Sequence, residues 1–274
     1  MRKCLTAVAI ATFCTALFAA TSNSDSPAVK LISKVSKGQL MVKQQFKSVG
    51  DLQGFVVQPK KGGRKAILFA DKSGQYVIAG NVLDAKGINL TEQATQKYIN
   101  ANVAKKAYAQ AKTQYWFSQG KAKAPHKAYI IVDPNCIFCH MLFKKIEPMI
   151  EGGDLQVRWI PVGFLNPTSA GKAAQIMLTT DNKTRLKQLF ADEDKFDKKT
   201  EEGALTPLKS NAKDKAVTKA FNEVKSNTDF FRKYGFQGTP TILYLNKDGQ
   251  AAFYPGYLRG KALQSLVGKM SGKW

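Results

Sequence analysis

The segment that decides the fold is Val132-Asp-Pro-Asn-Cys-Ile-Phe-Cys-His-Met-Leu-Phe-Lys-Lys-Ile-Glu-Pro148. Ahead of it, Ala128–Val132 (AYIIV) is a short apolar, β-branched run of the kind that forms a buried strand. Behind it, residues 136 to 150 suit a helix with Pro148 near its end. Cys136 and Cys139 stand three apart, so on a helix they share one face across adjoining turns. A cysteine at the helix N-terminus meets unpaired backbone N–H groups and the positive end of the dipole, and both stabilise a thiolate. Cys136 is therefore the expected exposed attacking thiol. Cys139, one turn deeper, is the expected resolving thiol that breaks a mixed disulfide.

Three chemistries use such a pair. Thiol–disulfide exchange fits the strand before the motif and the helix after it. Cys-x-x-Cys-His is also the attachment signature of c-type haem, with His140 as proximal ligand and Met141, Met149 or Met177 as conceivable second ligands. A copper or zinc pair needs further ligands, and the segment after residue 22 offers only His126 and His140. Outside a haem site, His140 reads as a helix-surface residue. No metal and no cofactor is expected beyond the redox-active Cys136–Cys139 pair.

Working outward, Leu155–Phe164 (LQVRWIPVGF) reads as a second strand. Residues 167 to about 234 read as a charged, mostly helical insertion with a loop near 198–207. Thr241–Leu245 (TILYL), the turn NKDG and Ala251–Tyr254 make a hairpin, and a last helix runs from about Arg259 to Met270. The order β-α-β, helices, β-β-α with Cys-x-x-Cys at the first helix start is the pattern of a thioredoxin fold. Gly238-Thr239-Pro240-Thr241 precedes the TILYL strand. Proline has no N–H for a ladder, and a cis Thr239–Pro240 bond explains its place there. Such a loop packs opposite the cysteines, where Thr239 can offer backbone hydrogen bonds to an extended substrate.

Upstream, Leu40 to about Asn89 alternates apolar runs (LMVKQQF, GFVVQ, KAILFA, QYVIAGNVL) with Gly-, Asp- and Ser-rich breaks, which predicts a small antiparallel sheet. A short helix is expected at 28–37. Asn89, with Glu92 three positions on, opens a helical stretch. Ala94, Ala101, Tyr108 and Tyr115 recur every seven residues, with Ala104 and Ala111 alongside. That stripe reads as core packing or a helix seam on one stiff arm to Gly120, roughly 40 Å long. Lys121–Lys127 (KAKAPHK) reads as the boundary. The expected division is 28–89, a linker helix at 90–122, and 123–274.

The first twenty residues differ. Arg2 and Lys3 precede an uncharged stretch, Cys4–Ala20, which describes a secretory signal peptide over residues 1–20, cleaved after Ala19 or Ser22. An uncleaved anchor is the alternative. Removal takes Cys4 and Cys14, leaving Cys136 and Cys139 of the four cysteines. One closely spaced pair closes too short a loop to stabilise a chain of this size, so the pair is chemical, not structural. The chain is therefore expected to be secreted.

The 274 residues carry 42 Lys+Arg against 20 Asp+Glu, a net charge of +22. Hydrophobic residues make up 44%, which excludes global disorder. The charge favours anionic partners. The lysines are scattered along the chain, however, which reads as a solvated basic surface, and no nucleic-acid partner is expected.

Taken together the segments resemble the periplasmic DsbC/DsbG group of thiol–disulfide proteins, closer to DsbG. QYVIAGNVLDAKGINLT (75–91) looks like the end of that family's dimerisation domain, VDPNCIFCHMLFKKIEP its active-site segment and GTPTILYLNKDG (238–249) its cis-proline strand. The resemblance implies an α+β, cystatin-like N-terminal dimerisation domain, a linker helix and a C-terminal thioredoxin-fold α/β domain with a helical insertion. It implies a homodimer, a membrane electron donor of the DsbD type, and periplasmic clients with disulfides or oxidised cysteines. Members isomerise wrong disulfides, reduce sulfenic acids or act as chaperones. By that match Cys136 is the nucleophile, Cys139 the resolving thiol and Thr239–Pro240 the cis-proline pair. Ile137-Phe138 stands where relatives carry Gly-Tyr or Pro-Tyr, and these two residues tune the redox potential. A redox-inert chaperone and a haem protein are the competing readings.

Overall fold

The computed structural model describes residues 25–200 and 202–274, in two units that divide between Thr95 and Gln96. The expected signal segment, residues 1–20, lies outside the described residues. No helix among those described is long and apolar enough to cross a membrane.

The first unit begins with helix α1, Pro27–Val35, where Ser26 caps the first turn and Pro27 occupies a position that needs no N–H donor. Strands β1 (Leu40–Lys47), β2 (Leu52–Pro59), β3 (Ala66–Asp71) and β4 (Val77–Ile78) follow as an antiparallel sheet in sequence order. The register of β1 on β2 slips between Val42 and Gln44, a bulge at Lys43. Ile32 and Ala28 of α1 pack on Phe55, Val57, Leu68 and Ala70, residues of one sheet face spaced by two. Helix α2, Leu90–Ala94, closes the unit, with the Asn89 side chain accepting from Glu92 N–H at 3.0 Å.

The helical stretch expected to reach Gly120 ends at Ala111 and is not α-helical throughout. A π-helical turn, Thr95–Asn100, separates α2 from helix α3, Ala101–Ala111. Ala104, Ala107, Tyr108 and Ala111 of α3 are buried, an i, i+3, i+4, i+7 stripe, whereas Ala101 and Tyr115 are exposed. The stripe belongs to the core of the second unit, packed with Tyr129, Ile131, Leu243 and Phe253. The chain then leaves the helix to make strand β5, Phe117–Gln119, which pairs with Trp159, Arg158 and Val157. Gly120 follows with φ 95°, and a Cβ there would meet the Leu155 carbonyl at 2.5 Å, so only glycine turns the chain here. The second unit thus begins at residue 96, well before the expected boundary at 122.

Its sheet has the order β5-β7-β6-β8-β9, with β6 (His126–Val132) parallel to β7 (Leu155–Pro161) and antiparallel to β8 (Thr241–Leu245); β9 (Ala251–Pro255) completes the hairpin. Alternation in β6 builds both faces. Ala128, Ile130 and Val132 join Leu142, Phe143, Ile146 and Ile150 of helix α4 (Ile137–Gly152), while Tyr129 and Ile131 join α3 and Phe230 of helix α7 (Lys215–Lys233). Each such fully buried aliphatic side chain stabilises by about 1.5–3 kcal/mol before entropy is counted. Helices α5 (Ser169–Met177) and α6 (Asn182–Asp194) precede α7 in the insertion, and helix α8 (Gly260–Lys269) ends the fold. This is the thioredoxin-like arrangement expected from the motif order.

Strand β7 stops at Pro161, short of the expected Phe164. The Asp133 carboxylate accepts from Phe164 N–H at 2.8 Å and Leu165 N–H at 3.1 Å, and Thr228 Oγ1 accepts from Gly163 N–H, so these groups leave the ladder.

Candidate active site

Strand β6 ends by delivering Asp133-Pro134-Asn135 to the start of α4. Cys136 is the N-cap, with extended φ −92° and ψ 108°, and its carbonyl accepts from Cys139 N–H at 2.9 Å and His140 N–H at 3.2 Å. Its N–H donates to the Asp133 carbonyl at 2.9 Å. Gly153, left-handed at φ 91°, terminates the helix sixteen residues on, so the Cys-x-x-Cys turn sits on a long, capped element.

From the other side comes the loop before β8. The Thr239–Pro240 bond is cis, and the Cys136 thiol donates to the Thr239 carbonyl at 3.0 Å. This contact covers the sulfur. Cys136 is 5% exposed and Cys139 3%, both as free thiols, so the expected exposure of Cys136 is not found in this reduced form. Exposure falls instead on Phe138, 52% accessible, which stacks on Tyr257 with ring centroids 6.4 Å apart. Ile137 opens the first turn of α4 and is half-buried.

The two thiols are pushed in opposite directions. The hydrogen bond from the Cys139 thiol lowers Cys136 to about 7; burial opposes this, and the Thr239 side chain and the backbone N–H groups of Cys139 and Phe138 add to it. Burial first, then the neighbouring Cys136 sulfur, raises Cys139 well above the ordinary thiol value. One sulfur is poised to ionise near neutrality and the other stays protonated beneath it.

Asp133 is fully buried below the turn. Burial raises its pKa, against hydrogen bonds from Phe164, Asn135, Ser169 and Leu165. It fixes the turn rather than facing solvent. His140 is buried too, not on the helix surface as expected. One ring nitrogen, Nε2, lies 2.8 Å from the Pro134 carbonyl, and its ring lies against Phe196 at 4.1 Å. With Nε2 so engaged, the imidazole serves the packing of the turn. His126, the other histidine, is distant in the fold at the start of β6, its Nδ1 3.0 Å from the Met270 carbonyl. Among the described residues no group of three or more His, Cys, Asp or Glu could hold a metal ion.

All of the expected site residues, Cys136, Ile137, Phe138, Cys139, Thr239 and Pro240, meet at this one place. Sequence reasoning missed Asp133 and Tyr257 and misplaced His140. Asp133, an acidic residue directly after a fully apolar strand, was the one visible signal.

The family model described as a thioredoxin-like domain matches residues 117–271. A thiol:disulfide interchange protein DsbG of Pseudomonas aeruginosa is 26% identical over 249 residues, 91% of this chain and 91% of that protein. Its namesake from Escherichia coli is 24% identical over 237 residues, 86% of this chain and 90% of the relative. Among solved structures, Proteus mirabilis ScsC in a compact conformation is 19% identical, covering 65% of this chain and 83% of its own, with a TM-score of 0.44.

Proposed function

The chain belongs to the thioredoxin-like domain family and is a DsbG-like thiol:disulfide oxidoreductase, and from that premise we propose that it acts from its reduced state, with Cys136 attacking and Cys139 resolving. The observation that carries the reading is the opposed setting of the two thiols, Cys136 lowered to about 7 and Cys139 raised.

In this mechanism the Cys136 thiolate attacks one sulfur of a client disulfide. A Cys136–client disulfide forms and the other client sulfur leaves as a thiolate. If that thiolate, or another client cysteine, then attacks the mixed disulfide, Cys136 is released as thiolate and the client carries a rearranged bond with no net electron transfer. If Cys139 loses its proton and attacks Cys136 instead, the pair becomes a disulfide and the client leaves reduced by two electrons. A client sulfenic acid enters the same route, its oxygen leaving as water. Regeneration requires a dithiol donor, which we assign to a membrane protein of the DsbD type.

Ionisation of Cys136 also frees the Thr239 carbonyl, which then accepts an N–H from an extended client segment. Ile137 and Phe138 set the redox potential, and no bound cofactor takes part. The setting is the periplasm, with secretion directed by residues 1–20. The first unit serves as the cystatin-like dimerisation domain of a homodimer, and chaperone activity accompanies the redox reaction. The test is recovery of a scrambled disulfide substrate under a reducing buffer. Wild type is expected to accelerate it and Cys136→Ser to abolish the acceleration; full activity of Cys136→Ser overturns the assignment.

A further inference from the structure

Lys172, on α5 of the helical insertion, is 1% exposed. A buried ammonium is tolerated only where charge and hydrogen bonds meet it. Its Nζ lies 2.7 Å from the Glu202 carboxylate and donates to the Gly203 carbonyl at 3.2 Å. The same Glu202 carboxylate accepts from the Thr168 hydroxyl. Thr168 Oγ1 in turn accepts from the Asn135 side-chain amide at 2.7 Å, and Ser169 Oγ accepts from it at 3.2 Å. Asn135 is the residue before Cys136.

The hydrogens in this chain have only one consistent direction. Glu202, ionised and held by Lys172, can only accept, so the Thr168 proton points to it. The Thr168 oxygen must then accept from Asn135, which turns the amide nitrogen of Asn135 toward α5. Ser169 repeats the arrangement, accepting from Asn135 while bonded to the Asp133 carboxylate. Asp133 also takes the Asn135 backbone N–H at 3.0 Å. Asn135 is therefore fixed at both side chain and main chain, and the peptide that follows places Cys136 in its extended cap conformation.

We propose that Lys172 is a positioning residue for the nucleophile: its ammonium holds the Glu202 carboxylate, Glu202 orients Thr168, and Thr168 fixes Asn135 and with it the cap geometry of Cys136. Neither Lys172 nor Glu202 touches a client. Removing the ammonium leaves Glu202 free to turn to solvent, Thr168 loses its fixed acceptor, and Asn135 can rotate, which loosens the alignment of Cys136 with the N–H groups of the first turn. The inference rests on the reading of Cys136 as the attacking thiolate.

The experiment is the pH dependence of iodoacetamide alkylation of Cys136 in the reduced full chain. It compares wild type with Lys172→Met, Thr168→Val and Thr168→Ser. Lys172→Met and Thr168→Val are expected to move the midpoint up by about half a unit, a roughly threefold loss of thiolate at pH 6.5. Thr168→Ser, which keeps the hydroxyl, stays at the wild-type midpoint. A purely structural role lowers the unfolding temperature of the variants and leaves their midpoints within about 0.2 unit of wild type, which overturns the proposal. Should Lys172→Met fail to fold, Thr168→Val decides, since it keeps the ion pair and removes only the link to Asn135. A wild-type midpoint near 9 overturns the reading of Cys136 itself, a result separate from any difference among variants.

Discussion

The Cys136 sulfur and the Thr239 carbonyl oxygen face each other at 3.0 Å, one from the N-cap of α4 and the other from the cis-proline loop before β8. That single contact joins two segments 103 residues apart and makes the reduced site a closed one. It also ties protonation to access, because the thiol proton that makes the bond is the one lost on ionisation. The thiolate form is then both the reactive form and the form in which Thr239 has a free acceptor for a client.

The Cys139 thiol is the largest influence lowering Cys136. Cys139→Ala should therefore raise the Cys136 midpoint from about 7 by about one unit, toward the ordinary thiol value. Thiolate absorbance near 240 nm against pH reads this directly, as roughly tenfold less thiolate at pH 6. An unchanged midpoint would contradict the part assigned to the Cys139 thiol.

Stability should carry the same signature. The folded Cys136 value of about 7 lies below the ordinary 9.0, so the thiolate is favoured by folding. This contribution is fully present above the unfolded value and is lost as pH falls through the folded one. Reduced wild type should gain about 2 kcal/mol between pH 6.5 and 9 relative to Cys136→Ser, read from urea unfolding. Above that window the raised Cys139 acts with the opposite sign, since its ionisation is disfavoured by folding. Parallel pH curves for the two proteins would contradict the depressed value.

Asp133→Asn removes an acceptor that takes three backbone N–H groups, from Asn135, Phe164 and Leu165. The amide has one acceptor oxygen and brings a donor against donors, which costs about 1–3 kcal/mol. The loss should appear in denaturant unfolding and in faster exchange of the Asn135, Phe164 and Leu165 amides. Those amides exchanging at the wild-type rate would contradict the assigned role.

On the far face of the sheet the Arg158 guanidinium lies 4.0 Å from the Trp116 ring centroid and 3.9 Å from that of Trp274, and donates to Tyr129 Oη at 2.7 Å. Trp274→Ala should cost about 1–3 kcal/mol in thermal or denaturant unfolding and leave the Cys136 midpoint unchanged. A shift in that midpoint would show that the two faces of the sheet are coupled.

Much of this architecture is local in origin and could be read from local pattern. AYIIV, the Cys-x-x-Cys turn, the α4 face of Leu142, Ile146 and Ile150, and Thr239–Pro240 before TILYL each carry their own signal, and all meet at one site. What escaped depended on partners far along the chain. The seven-residue recurrence from Ala94 to Tyr115 could not reveal the π-helical segment or the helix end at Ala111, because Ala94 belongs to the first unit whereas Ala104–Ala111 pack in the core of the second. Phe117–Gln119 becomes a strand only because Val157–Trp159 lies beside it. Lys172 is one lysine among a scattered surplus, and nothing near it in sequence marks it as buried; its partner is thirty residues on.

The central claim, a nucleophile kept reduced and recycled, is tested most directly by the redox state of Cys136 and Cys139 in intact cells, trapped by acid quench and read by a mass-shifting thiol reagent. A largely reduced pair is the result this account predicts, and it requires a dithiol donor feeding the site. A largely oxidised pair would contradict it and make the protein a donor of disulfides.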